Sequence, residues 1–86
     1  MTFSQLRSFS EVARLRSVTA AARSLGVTEP AVSLAVGALR RELGDELFVR
    51  AAGGISLTPG GERLATAAAE ILMLAEAARS DLKALH

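Results

Sequence analysis

Residues 28–33 read Thr28-Glu29-Pro30-Ala31-Val32-Ser33 and bring several kinds of binding group into one short segment. Thr28 and Ser33 carry hydroxyls that can bond a phosphate or a base edge. Pro30 and Ala31 are compact apolar surfaces that can meet a thymine methyl group, and Glu29 can accept from cytosine N4. Each residue also has a purely local use. Thr28 can cap a helix, Glu29 suits the positive end of a helix dipole, and Ser33 can be an ordinary helix residue. Further along, Arg50 precedes a turn, Ala51 to Gly54, from which it could reach a phosphate backbone or a narrow, negative groove. This chemistry is recognition by hydrogen bond, charge and shape.

Catalytic chemistry has little to work with. The single histidine is the last residue, His86, and there is no cysteine, so a Cys-ligated zinc site and a disulfide framework are both excluded. No metal-ligand cluster stands out. Gly53-Gly54 and Gly60-Gly61 lack the Lys-Ser/Thr of a phosphate-binding loop and read as turn and helix-start geometry. Glu42, Asp45 and Glu46 lie close in sequence and read as solvated charges at a helix end.

The elements that must position residues 28–33 follow from periodicity and caps. Thr2 with Gln5 has capping-box spacing, and Phe3, Leu6, Phe9, Val12 and Leu15 make one apolar face, which predicts a helix from Phe3 to about Arg16. Ser17-Val18-Thr19 interrupts it. Thr19 is the expected cap of a short helix from Ala20 to Leu25, ended by Gly26, with Val27 as an apolar plug. Thr28 then caps a third helix with Pro30 in its first turn. That helix runs through Val32, Val36, Leu39 and Leu43 to Gly44. Two helices joined by a short glycine-containing turn form a helix-turn-helix, whose second helix presents its N-terminal residues to the major groove. Glu46 to Arg50 and Ile55 to Leu57 read as two short strands of a hairpin.

Thr58-Pro59 restarts a helix that continues to about Leu85, a length of about 40 Å. Leu64, Ala68, Ile71, Ala75, Ala78, Leu82 and Leu85 fall at alternating spacings of four and three. Such a heptad seam predicts a partner helix. Leu72 and Leu74 widen its apolar surface.

The 86 residues fit one small domain, half of them are apolar with only three aromatic, and alanine and leucine dominate, which favours helix, so the chain reads as mainly α. Net charge is +1, but residues 1–50 hold seven arginines against five acids while the remainder holds three basic residues against four acids. The first part is thus at +2 and the second at −1. Gln5, Arg7 and Glu11 break the N-terminal apolar pattern, so it does not read as a signal peptide, and no apolar run could span a membrane. A cytoplasmic location is the expectation.

The ordered set Leu6, Phe9, Ser17, Ala21-Ala22, Leu25, Pro30-Ala31-Val32-Ser33, Val36, Leu39, Leu43-Gly44, Leu47-Phe48, Arg50, Leu57-Thr58 and Gly61 resembles the N-terminal domain of the LysR-type transcriptional regulators. The resemblance implies a winged helix-turn-helix over residues 1–58, built of three helices and a short β-hairpin wing. A long linker and dimerisation helix over 59–86 follows. It also implies a non-enzymatic domain that binds double-stranded DNA at an operator with an interrupted dyad, as a homodimer or, in the full-length protein, a tetramer. Carried over by position, the DNA contacts are Thr28, Glu29, Pro30, Ser33, Arg50 and Thr58. The seam from Leu64 to Leu85 is the dimer interface. Longer members carry a C-terminal effector-binding domain, so the chain is expected to be a fragment of such a regulator, with any small-molecule effector bound there and no cofactor in these residues.

The chain departs from the family pattern at Glu29, where Gln is usual, and at Arg40, where Glu is usual. It also departs at Leu34 and Gly37, where polar or basic residues are common, and in the uncharged wing turn. These departures predict weaker binding or a changed operator preference. The alternative is a helical dimerisation module with no DNA role.

Overall fold

The computed structural model describes residues 1–86 as four helices and one hairpin. These are α1 (Phe3–Leu15), α2 (Val18–Leu25), α3 (Glu29–Leu43), β1 (Phe48–Ala51), β2 (Gly54–Leu57) and α4 (Pro59–Ala84). The mainly α winged helix-turn-helix with a long following helix is thus the observed architecture.

Thr2 closes the expected capping box: its hydroxyl accepts from the Gln5 amide, and the Gln5 side chain accepts from the Thr2 amide. The helix stops one residue short of the expected end. Arg16 sits in the left-handed region at φ 57 and donates its amide to the Val12 carbonyl. The next cap differs from expectation. Ser17, not Thr19, is the cap of α2, because Ser17 has the extended backbone and its hydroxyl accepts from the Ala20 amide. Thr19 falls inside the first turn and its side chain is left for other use. Gly26 ends α2 at φ 69, and Val27 donates back to the Ala22 carbonyl. Val27 is not a plug: its side chain remains exposed on the turn before α3.

One core joins all the helices. Leu6, Phe9, Val12 and Ala13 of α1 meet Ala21 and Ala22 of α2, Val32, Val36 and Leu39 of α3, Leu47 before the wing, Phe48 at the start of β1, and Ala68 of α4. Alanines on α2 let it lie close to α1 and α3. The Phe9 and Phe48 rings stack at a tilt with centroids 5.1 Å apart, which fixes the wing to α1.

The first strand starts later than expected, at Phe48 rather than Glu46. Leu47 adopts φ 66, which breaks the extended run at Glu46–Leu47. The strands pair antiparallel from Phe48↔Leu57 to Ala51↔Gly54, so only Ala52 and Gly53 form the turn. Ala51 and Gly54 belong to the strands.

The α4 helix divides in two. Leu64, Ala65, Ala68, Ile71 and Leu72 pack on the core, chiefly against α1. From Glu76 onward every residue is exposed. The molecule is accordingly 49 Å long but only 25 by 21 Å across.

Candidate nucleic-acid interface

The first turn of α3 is open to solvent. Thr28, Glu29, Pro30, Ala31 and Ser33 are all exposed, while Val32 between them is fully buried and anchors the turn. The Thr28 hydroxyl accepts from the Ala31 amide at 3.2 Å, which caps the helix, and its own proton has no acceptor within the chain. Ser33 Oγ has no partner either. These two hydroxyls can therefore donate outward, beside a helix N-terminus that already favours an anion.

Glu29 is held in place. Its Oε1 accepts from the Thr19 hydroxyl at 2.8 Å. This bond across the turn ties α2 to the start of α3 and leaves Oε2 to accept from another donor. The second tie between helices lies on the other side of α2. Arg14 forks onto both carboxylate oxygens of Glu11 at 2.9 Å, and the Ser24 hydroxyl donates to Glu11 at 2.5 Å. The Arg14 bonds, then the Ser24 bond, hold the Glu11 carboxyl below the usual glutamate range. In return Glu11 raises the Arg14 guanidinium above its ordinary value.

The structure brings Ser33 and Arg50 together. Both line a cleft of about 180 Å³ between α3 and the wing, whose floor is Val12, Val36 and Phe48. Arg50 is exposed and makes no ion pair. Arg40 lines the same cleft, but its Nε donates to the Glu46 carbonyl at 2.7 Å, a structural use that braces the approach to the wing. Arg16 reaches toward the Ile55 carbonyl from the end of α1, adding a further cation beside β2. Arg16 beside the wing and Arg41 near the end of α3 are further exposed cations. Their only sequence signal is that Arg16 stands just before the helix-turn-helix and Arg41 in the last turn of its second helix.

Thr58 stands apart from the other predicted contacts. Its hydroxyl accepts from the Gly61 amide at 2.9 Å and donates to Asp45 Oδ1 at 2.7 Å, so its only proton is committed. Asp45 also accepts from the Leu47 amide at 2.8 Å. Asp45 is thus more than a helix-end charge, since it fastens the end of α3, the wing and the start of α4 into one knot. The Leu47 amide, then the Thr58 hydroxyl, holds its carboxyl below the usual aspartate range. Gly60 and Gly61 permit the close approach: a Cβ on Gly60 would strike the Asp45 carboxylate, and one on Gly61 would strike the Leu47 carbonyl oxygen.

Of the seven seam residues, Ala68 is fully buried in the chain's own core, and Leu64 and Ile71 pack against that core. Ala75 is half-buried. Only Ala78, Leu82 and Leu85 are exposed, and they share a face with the exposed Leu74. The stripe serves the domain first and any partner second, because α1 reaches only the first half of α4. Ser80 and Lys83 have the three-residue spacing of a Ser-x-x-Lys pair, but both are exposed on the last turns of α4. No helix is long and apolar enough to cross a membrane.

Comparison with known proteins agrees with this architecture. Residues 3–62 match the model for the bacterial regulatory helix-turn-helix proteins of the LysR family. Two strains of Mycobacterium tuberculosis have an uncharacterised HTH-type transcriptional regulator that is 54% identical over 74 residues. The match takes in 86% of this chain but 23% of the relative, so the chain spans under a quarter of that protein's length. Among solved structures, the CbnR DNA-binding domain in complex with DNA superposes with a TM-score of 0.88 at 35% identity, covering 99% of this chain and 98% of that one. The BenM DNA-binding domain bound to catB site 1 DNA gives 0.93 at 29% identity, with coverage of 99% and 96%. A full-length OxyR variant from Pseudomonas aeruginosa gives 0.91 at 32%, covering 98% of this chain and 28% of that one. With the family model covering both helices of the helix-turn-helix, the wing and the start of α4, the chain belongs to the LysR family of bacterial regulatory helix-turn-helix proteins, as its DNA-binding domain.

Proposed function

We propose that this chain recognises a specific double-stranded DNA operator, with α3 in the major groove and the wing at the backbone, as one half of a homodimer paired through α4. The observation that carries the reading is the exposed first turn of α3. Its Thr28 and Ser33 hydroxyls lack acceptors, and Ser33 shares a cleft with the unpaired Arg50. Thr28, Ser33 and Arg50 contact phosphate or base edges, Glu29 accepts from cytosine N4 through its remaining oxygen, and Pro30 meets a methyl group. Thr58 acts as a positioning residue, since its proton belongs to Asp45. Residues 1–58 form the reading unit and 59–86 the pairing helix, with Leu74, Ala78, Leu82 and Leu85 as the pairing face. Two-fold pairing gives a dyad operator with two half-sites. In this reading the domain acts in the cytoplasm, is not an enzyme and needs no cofactor. A small-molecule effector would act through other parts of a longer regulator.

The test begins by enriching duplexes from a random-sequence pool on the purified chain. The enriched duplex should bind more tightly than a scrambled one, and its affinity should fall steeply with rising salt. Arg50→Ala should lower the slope of log affinity against log salt by about 1. Failure to enrich any sequence, or an affinity indifferent to salt, would leave only the dimerisation module. Leu82→Glu with Leu85→Glu should convert a dimer to a monomer in sedimentation equilibrium. An unchanged mass would refute the pairing face.

A further inference from the structure

The outer side of α3 continues past its first turn as Pro30, Leu34, Gly37 and Arg41, spaced four, three and four residues apart and opposite the buried Val32, Val36 and Leu39. Leu34 is 71% exposed, so the fold itself does not use it. Gly37 lies in the interior of α3, where glycine costs about 1 kcal/mol relative to alanine. Nothing inside the chain calls for it. A Cβ there would meet only the Arg41 Nη1, at an ordinary 3.5 Å. That distance also shows Arg41 folded back along the helix over Gly37. Arg41 forms no hydrogen bond or salt bridge, unlike its neighbour Arg40. Between Glu29 and Glu42 the helix carries no acid. The face is therefore apolar in the middle, bare of side chain beside that, and cationic at its far end.

We infer that Leu34 is a specificity-determining residue that packs on the 5-methyl group of a thymine in the major groove. This rests on the reading that α3 enters that groove. Once Arg41 swings off Gly37 to meet a phosphate at the edge, Gly37 lets the groove wall come up to the helix backbone. Charge favours this occupant over a protein partner, because a cation frames the leucine and no acid interrupts the face. With its one donor fork, Arg41, at the phosphate edge, the middle of the face reads methyl position and groove shape.

The discriminating experiment uses the duplex enriched by the wild-type chain and replaces its thymidines one at a time by deoxyuridine, which removes only the methyl group. Uracil at one thymine of each half-site should weaken wild-type binding about fourfold, as expected for one buried methyl. At that same position the Leu34→Ala variant should bind both duplexes equally. Alanine at an exposed helix site keeps the fold. Gly37→Ala should raise the melting temperature yet weaken binding to the enriched duplex. Two results overturn the inference while leaving DNA binding intact: a wild-type chain indifferent to uracil at every thymine, or a Leu34→Ala variant that responds as strongly as wild type. If no duplex is enriched, the fault lies instead in the reading of α3 as a groove binder.

Discussion

The starts of α3 and α4 are built from the same parts and put to opposite uses. Each has a threonine cap with extended backbone, a proline in the first turn, and a hydroxyl that accepts from the amide three residues on. At α4 the Thr58 proton passes to Asp45, and two glycines let the helix press against Asp45 and Leu47. At α3 the Thr28 proton has no acceptor and the turn faces solvent. A local signature thus specifies a helix start but leaves its role open. Whether a neighbour consumes the remaining donors decides if the start becomes a joint or a binding surface.

The largest effect expected from breaking this contrast is at Gly61. A Cβ would collide with the backbone carbonyl of Leu47, which cannot rotate away, so Gly61→Ala should cost about 3 kcal/mol in urea unfolding. Gly60→Ala should cost less, because the Asp45 carboxylate it meets can move. A cost below about 0.5 kcal/mol at Gly61 would show that the joint is loose.

The caps come next. Thr58→Ala removes a cap and a bond to Asp45, and should cost about 2 kcal/mol, against about 1 kcal/mol for Thr28→Ala. Duplex affinity should rank the other way, with Thr28→Ala the weaker binder at a temperature where both variants are folded. Equal effects on both readouts would erase the distinction between joint and surface.

Acid sharpens the same comparison. The folded-state pKa of Asp45 is lowered by the Leu47 amide and then by the Thr58 hydroxyl. Its contribution is therefore present above the unfolded value near 4 and is lost as pH falls through the lower folded value. Glu11 acts with the same sign. Melting temperature between pH 7 and pH 3 should fall further for wild type than for Asp45→Asn, which keeps only the Glu11 part. Parallel curves would remove Asp45 from the joint.

The smallest effect concerns Glu29. Glutamine keeps an oxygen for the Thr19 hydroxyl while removing a negative charge beside phosphate. Glu29→Gln should therefore strengthen binding to a scrambled duplex a few-fold, with little change in stability. Weaker binding to that duplex would refute the repulsion.

Most element boundaries were legible because their causes are local. Thr2 with Gln5, Gly26, Thr28, Gly44 and Thr58-Pro59 each act within a few residues, and the structure keeps all of them. The misreadings share a different origin. Ser17 and Thr19 are both competent caps; Ser17 takes the role, and the Thr19 hydroxyl bonds instead to the Glu29 carboxylate ten residues away. Asp45 looked like a helix-end charge because Thr58 is thirteen residues distant. Arg16 and Leu47 take left-handed backbone without being glycine, so no residue type announced them. Heptad spacing on α4 marked an apolar stripe but could not say which half faces α1 and which half a partner. In the candidate site, the solvent-facing positions of Thr28, Ser33 and Arg50 were legible from their places in the helix-turn-helix and wing. The commitment of Thr58 and the exposure of Leu34 and Arg41 needed the packed structure.

The central claim is that the open start of α3, and not the protruding end of α4, touches DNA. Fluorescence anisotropy with the enriched duplex tests it most directly, comparing Thr28→Ala with Ser33→Ala in one chain against Arg79→Ala with Lys83→Ala in another. The account predicts a loss of about tenfold or more for the first pair, beyond any loss of stability, and no material change for the second. Equal losses, or a larger loss from the α4 pair, would contradict it.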